Sequence, residues 1–311
     1  ELYGSQMVET LSAGGRDPFK VVIPPGEQSK SLEQLSAIYD LVLNEGIDRQ
    51  TPVIALGGGV VGDLGGFAAA TLLRSVPLIQ VPTTLIGQSD SAIGGKTGIN
   101  HVTGKNLIGA FYQPTFVCSD LSTLQSLPAR EWTSGLAEVI KYAFIADPEL
   151  FNYLTGRWSA IRERKAAALE HIVPRSAAIK ADIVEKDERE SGLRALLNFG
   201  HTLGHAIERA SGYGAFTHGE AVALGMVASL HLSAHHGGSL SLDDTVELVG
   251  QLPLYHTLDG ISFDEVWRIM HSDKKVKDGQ IHYVLLEEIG SAYVTADVDR
   301  SNVRAAWEFT K

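Results

Sequence analysis

Apolar residues follow two rhythms along this chain. In the first 120 residues, short apolar runs alternate with helical spacing. Lys20-Val-Val-Ile23 reads as a strand stopped by Pro24-Pro25-Gly26. Leu32, Leu35, Ile38, Tyr39 and Val42 recur at helical spacing, with Gly46 placed to cap. Pro52-Val-Ile-Ala-Leu56 has the continuous apolarity of a buried parallel strand and runs into Gly57-Gly58-Gly59. A Gly/Ala-rich helix is predicted from about Asp63 to Leu73. Strands are predicted at 78–81, ended by Pro82, and at 116–118. Strand–helix alternation over this length predicts an α/β domain with a parallel sheet.

After Leu127-Pro128 helical periodicity takes over, in segments 129–146, 148–157, 160–187, 192–211, 218–236, 242–252 and 263–271. Only 281–294 reads as a β-ribbon. A domain boundary is therefore expected near 125–130, dividing the chain into 1–127 and 128–311.

Composition narrows the function classes. The 311 residues carry 26 Lys+Arg against 37 Asp+Glu, a net charge of −11, so the basic excess of a nucleic-acid binder is missing. No apolar run has the length of a membrane span. The single Cys118 has no partner for an internal disulfide, which points to a reducing compartment. The chain opens on Glu1 rather than Met, and residues upstream are expected.

Several constellations could carry chemistry. Gly57-x-Gly59-x-x-Gly62 stands after a strand and opens a helix, the context for a pyrophosphate on backbone N–H groups; a tight βα turn can also use three glycines for packing alone. A Walker A loop is excluded, because Asp90 stands where its first glycine is needed. Segment 83–109 is long, polar and glycine-rich, and reads as a loop, either functional or merely solvated. Its Lys96 and Lys105 could hold phosphate as point charges. His201 and His205 lie four apart on one predicted helix. Glu138 and Lys141 are charges embedded in an apolar helix, where neither belongs unless paired or coordinating. Two or three histidines plus a carboxylate is the composition of a catalytic zinc site; any one histidine is more often an ordinary core or surface residue. Lys141, Lys180, Arg194, Lys274 and Lys275 form a basic set in the helical half. Scattered charges ordinarily mean solvated helix faces; Lys141 and Arg194 stand in the same segments as the candidate ligands, which fits a pocket for a substrate with phosphate and carboxylate groups.

Together these motifs resemble the 3-dehydroquinate synthases, a family of sugar-phosphate cyclases, from about residue 18 to 290. The residues concerned are Pro25-Gly-Glu-Gln-Ser-Lys30, Gly57-Gly-Gly-Val-Val-Gly-Asp63, Val81-Pro-Thr-Thr84, Gly94-Gly-Lys96 and Gly104-Lys-Asn-Leu-Ile-Gly-Ala-Phe111. The helical half adds Gly135-Leu-Ala-Glu-Val-Ile-Lys141, Asp187-Glu-Arg-Glu190, Gly192-Leu-Arg194, Asn198-Phe-Gly-His-Thr202, His205, His218-Gly-Glu220 and Asp273-Lys-Lys275.

The resemblance implies a Rossmann-like NAD-binding domain, a mainly helical metal-binding domain, and catalysis between them. Family strands preceding Glu1 are absent, so this NAD domain is read as N-terminally truncated. NAD contacts fall on Pro25, Gly26, Glu27, Gln28, Ser29, Lys30, Gly59, Val60, Val61, Gly62, Asp63, Thr83, Thr84, Lys96, Lys105, Thr123, Leu124, Gln125 and Ser126. One zinc or cobalt ion falls on Glu138, His201 and His218. Substrate contacts fall on Arg74, Asp90, Lys96, Asn106, Lys141, Lys180, Arg194, Asn198, His205 and Lys275, with Lys274 the alternative to Lys275. Ser75, where the family often has glycine, is expected to matter little. A cytoplasmic homodimer is implied, acting on a sugar phosphate that supplies its own proton acceptor in the eliminated phosphate. The rivals are a metal-dependent polyol dehydrogenase, a cyclase making an amino-dehydroquinate or valiolone-type ring, and a catalytically silent binding protein.

Overall fold

A computed structural model describes residues 2–190, 192–212, 214–271, 276–277 and 280–311. It divides into two compact units, Glu1–Thr123 and Leu124–Lys311.

The first unit opens with α1 (Gly4–Ala13), which the hydrophobic pattern did not predict because none of its residues is buried. In α2 (Leu32–Asn44), the Ser31 side chain accepts from the Gln34 N–H at 3.1 Å, capping the helix, and Leu35, Ile38 and Val42 face inward. Three parallel strands, β1 (Val53–Gly57), β2 (Leu78–Pro82) and β5 (Phe116–Val117), make a sheet in the order β1-β2-β5. The predicted strand at 20–23 does not form: these residues join no ladder, although Val21 and Ile23 still pack on the core.

Helix α3 (Gly59–Thr71) starts four residues before its predicted position. Glycine propensity argues against helix there, but tertiary packing overrides it. A Cβ on Gly65 would be 3.3 Å from Ala55 in the sheet, and one on Gly66 would stand 2.5 Å from Thr97 outside it, so small residues let the helix lie close on both sides. Segment 83–109 is not a loop. It holds a single π-helical turn (Gly87–Ser91) and an antiparallel hairpin of β3 (Lys96–His101) and β4 (Gly104–Phe111). Glycine and polar residues hid the hairpin, and Gly98 opposite Gly109 is what lets the two backbones meet there.

The second unit is helical: α4 (Ala129–Ala146), α5 (Pro148–Arg162), α6 (Ala166–Lys186), α7 (His201–Ala210), α8 (His218–His235), α9 (Leu242–Gly250), α10 (Phe263–His271) and α11 (Arg300–Thr310). The helix predicted over 192–211 breaks at Gly200, in left-handed conformation, with a 3-10 turn (Leu193–Asn198) before it. Two short strands, β6 (Val276–Lys277) and β7 (Gln280–Ile281), precede the ribbon of β8 (Tyr283–Glu288) and β9 (Ser291–Thr295), which forms where the pattern placed it. Leu203, Ile207, Leu224, Val266, Leu285 and Trp307 meet in one core. Among the described residues, no helix is long and apolar enough to cross a membrane.

Candidate active site

In the first unit, β1 delivers the chain into Gly57-Gly58 and α3 begins at once. The Thr83 N–H donates to the Gly57 carbonyl at 2.9 Å, and Gly58 lies against Thr84, so two of the sequence motifs meet at this turn. Gly58 caps α3 without a side chain to accept from its first N–H groups, as an anion-binding helix end requires. Gly62 stays close to Gln80, whose amide donates to the Gly62 carbonyl at 3.1 Å.

Lys30 ties three further motifs together. Only 4% exposed, its ammonium donates to Asp63 Oδ2 at 2.7 Å and to Asn106 Oδ1, and lies 3.3 Å from Glu27 Oε1. Burial alone would lower its pKa, but Asp63 and Glu27 outweigh that and raise it. Asn106, at φ +54, is held by its own N–H donating to Asn100 Oδ1 at 2.9 Å; the Asn100 side chain in turn donates to Glu27. Nearby in sequence, Pro25 and Gln28 are exposed, and Ser29 is buried with its hydroxyl donating to the Pro24 carbonyl at 2.7 Å; Gly26 adopts φ +107.

Asp90 sits in the π-helical turn, a backbone irregularity that often marks functional positions. Gly94 and Gly95 follow at φ +96 and +65, and Lys96 emerges exposed at the start of β3, with Lys105 half-buried on β4. Arg74 lies between Leu73 and Ser75 in a run of three positive φ values, +50, +68 and +117. Ser75 therefore matters more than the sequence reading expected, because it occupies backbone space that favours glycine. Thr123, Leu124, Gln125 and Ser126 lie in a 3-10 segment (Leu121–Ser126); the Thr123 hydroxyl accepts from Gln88 at 3.1 Å, and the Gln125 amide donates to the Arg164 carbonyl.

The second unit gathers Glu138 from α4, His201 and His205 from α7, and His218 from α8. Ligand atoms of the three histidines lie within 4.8 Å of one another. Glycine makes this possible. A Cβ on Gly219 would strike the Ser134 backbone, and one on Gly225 the Gly200 carbonyl, so α8 approaches both α4 and α7 backbone to backbone. The Gly219 N–H donates to Ser134 Oγ at 3.0 Å. Glu220, fully buried, completes a capping box with Thr217 and takes the Arg130 guanidinium at 2.7 Å, which pins the first turn of α8 to α4.

Glu138 has no solvent exposure, and its Oε1 accepts no hydrogen bond. That oxygen stands 3.5 Å from His201 Nε2 and 3.3 Å from His218 Nε2. Donors ~2.1 Å from a shared tetrahedral ion stand ~3.4 Å apart. The spacing of Glu138 to each of the two histidines therefore fits a divalent metal, and His205 belongs to the same histidine group. His201 and His218 are also oriented from behind: His201 Nδ1 lies 3.0 Å from the Phe199 carbonyl, and His218 Nδ1 lies 3.1 Å from Glu208 Oε2. Burial pushes the Glu138 carboxyl up, but Lys141 and His201 hold it well below the usual carboxylate range. Burial lowers His201 to about 4, leaving its imidazole neutral, the form that ligates. Burial lowers His218 too, but Glu138 and Glu208 outweigh it and raise it to about 10. A bound cation would displace that proton.

Glu208 was missed in the sequence, although its signal was present: positions 201, 205 and 208 share one face of a helix. His205 joins the cluster, its ring centroid 5.3 Å from that of His201 and 5.7 Å from that of His218.

Lys141, on α4, is 2% exposed and donates to Glu138 Oε2. Lys180, on α6, is 6% exposed, and Arg194, in the 3-10 turn, is 1% exposed. The three elements pack on one another. Asp187 shapes the turn by accepting from the Gly192 and Arg194 N–H groups at 2.8 and 2.9 Å, and Asn198 donates to Glu190. Lys274 and Lys275 lie outside the described residues.

An α/β unit followed by a helical unit is also the fold of solved sugar-phosphate cyclases, on which the chain superposes. The 2-epi-5-epi-valiolone synthase of Streptomyces hygroscopicus subsp. jinggangensis, with NAD+ and Zn2+ bound, superposes with a TM-score of 0.91 at 32% identity, covering 99% of this chain and 87% of that one. A 2-deoxy-scyllo-inosose synthase complexed with carbaglucose-6-phosphate, NAD+ and Co2+ superposes at 0.84 with 25% identity, covering 98% and 87%. Glycerol dehydrogenase from Schizosaccharomyces pombe, 18% identical with a TM-score of 0.68 over 99% of this chain and 80% of its own, shares the fold alone. The 3-dehydroquinate synthase of Salinibacter ruber is 52% identical over 309 residues, covering 99% of this chain and 84% of that protein, and the Geobacter metallireducens enzyme is 48% identical over 305 residues, covering 97% and 84%. The 3-dehydroquinate synthase N-terminal family matches residues 20–134 and the C-terminal family residues 135–276. The chain belongs to the 3-dehydroquinate synthase family.

Proposed function

We propose that this protein converts 3-deoxy-D-arabino-heptulosonate 7-phosphate into 3-dehydroquinate and phosphate. The carrying observation is 52% identity to a 3-dehydroquinate synthase across 99% of the chain. The rival cyclase ring is represented at only 32% identity. Against a silent binding protein stands the placement of Glu138 Oε1 3.5 Å from His201 Nε2 and 3.3 Å from His218 Nε2, which supports a metal site.

Glu138, His201 and His218 would hold one zinc or cobalt ion. The uncapped first turn of α3, from Gly59 to Asp63, would take the NAD pyrophosphate, with Thr83, Thr84, Lys105 and the Pro25–Lys30 and Thr123–Ser126 segments around the cofactor. When bound, NAD supplies a hydride acceptor that is restored within the cycle, and the ion supplies Lewis acidity toward the hydroxyl being oxidised. Arg74, Lys96, Asn106 and Lys275 are assigned to the phosphate end of the substrate, and Lys180, Arg194 and Asn198 to its carboxylate and hydroxyl end. Lys141 holds Glu138 ionised, Asp90 is assigned to the seam between cofactor and substrate, and His205 to hydrogen bonding or proton transfer beside the cluster. A cytoplasmic homodimer is part of the same reading, and sedimentation tests its oligomeric half.

Incubation with the heptulosonate phosphate, NAD and zinc should release phosphate and dehydroquinate in equal amounts, without net NADH absorbance. One NADH per turnover would assign the protein to the polyol dehydrogenases instead.

A further inference from the structure

Glu208 lies in the last turn of α7 and is only 6% exposed. A carboxylate buried to that degree needs a partner, and one of its oxygens stands 3.1 Å from His218 Nδ1. On the other side of the same ring, Nε2 stands 3.3 Å from Glu138 Oε1. His218 is thus gripped between two carboxylates from two other helices, α4 and α7.

The two contacts differ in kind. An ionised carboxylate only accepts, so Glu208 requires a proton on Nδ1. When an ion displaces the other ring proton, the Nε2 lone pair is left directed to the side where the ligand atoms gather. His201 is oriented through the same nitrogen, but by a neutral acceptor, the Phe199 carbonyl. Glu208 also brings charge. The Lys141 ammonium already donates to Glu138, so a divalent ion placed here meets a cation next to its one anionic ligand. A second carboxylate offsets that charge through the His218 ring and makes its Nε2 a stronger donor.

We propose that Glu208 is a positioning residue of the metal centre, fixing the tautomer of His218 and strengthening its hold on the ion. This rests on the assignment of Glu138, His201 and His218 as ligands.

The test measures metal affinity, not turnover. The full chain, stripped with chelator and shown by circular dichroism to stay folded, is titrated with zinc against a chromophoric chelator. Glu208→Gln preserves size and an acceptor oxygen but removes the charge, and should weaken zinc about 10–100-fold. A purely structural Glu208 would lower thermal stability in that variant while leaving zinc affinity within about twofold of the parent protein, which would overturn the proposal. A second measurement does not depend on the variant folding. Nitrogen-15 spectra of the zinc-bound parent protein, with the His218 signals assigned by their loss in His218→Ala, should show the Nδ1–H tautomer. An Nε2–H tautomer would overturn the role of Glu208. If Glu138→Gln left zinc affinity unchanged, the ligand set itself would fall, and this inference with it.

Discussion

Lys30 and Asp63, thirty-three residues apart in sequence, meet through a 2.7 Å contact between ammonium and carboxylate. One partner comes from the segment before α2 and the other from the first turns of α3. The same ammonium also reaches Asn106 on the hairpin, so one buried cation holds three pieces of the candidate dinucleotide region in register.

Replacing Lys30 with Met should therefore do more than remove one contact. It strands Asp63 and Glu27 without their cation and should cost about 2 kcal/mol, below the cost for a fully buried pair because both carboxylates keep some solvent. The pH dependence has a definite sign. The folded pKa of Lys30 is raised above 10.5, so its contribution is complete below that value and is lost as pH rises through the folded pKa. Urea melts of parent protein and variant should differ fully at neutral pH and converge only in strong alkali.

Ser75→Gly should stabilise the protein. Ser75 holds φ +117, and glycine removes a strain of about 1–3 kcal/mol while making the unfolded chain somewhat looser. A net gain of about 1 kcal/mol in denaturant melts is expected. A loss of stability would mean that the serine side chain contributes more than its backbone costs.

Gly219→Ala should damage the metal cluster without touching a ligand. The added methyl would strike the Ser134 backbone, a clash that neither helix can relieve by rotating a side chain. Overpacking of this kind costs about 1–3 kcal/mol. Because α8 must move away from α4, the distance between His218 and Glu138 grows. Zinc affinity should fall at least tenfold, read by the same chelator competition. Gly250→Ala, with no atom near its added methyl, serves as the control and should bind zinc normally.

Asp147→Asn should reveal an acid-labile contact. Asp147 caps α5 through the Leu150 N–H at 3.0 Å and also pairs with Arg175. Burial pushes its pKa up, but Arg175 and the cap bonds prevail and lower it. Its contribution is therefore present above about 3.9 and is lost as pH falls through the lowered folded value. The variant should be about 2 kcal/mol less stable at pH 7, and the gap should close on acidification.

The sequence alone determined the elements whose signal is local. Apolar runs located β1, β2 and the β8–β9 ribbon, helical spacing located α2 and the long helices of the second unit, and motif spacing singled out Glu138, His201, His205 and His218. These features rest on side-chain periodicity, which each segment carries by itself. Other features depended on contacts between distant segments, and only the tertiary structure decided them. The hairpin of β3 and β4 was invisible because glycines and polar residues carry no period, and its close backbone approach is possible because Gly98 and Gly109 face each other across it. The early start of α3 contradicted glycine propensity, until the close sheet beneath it favoured small residues. The strand expected at 20–23 failed because a strand needs a neighbour's hydrogen bonds, which its own sequence cannot supply. Glu208 shares a helical face with His201 and His205 in the sequence, but only the packing of α7 on α8 put it behind His218. Local pattern names the residue types available, but the distance between two side chains is a property of how their backbones pack.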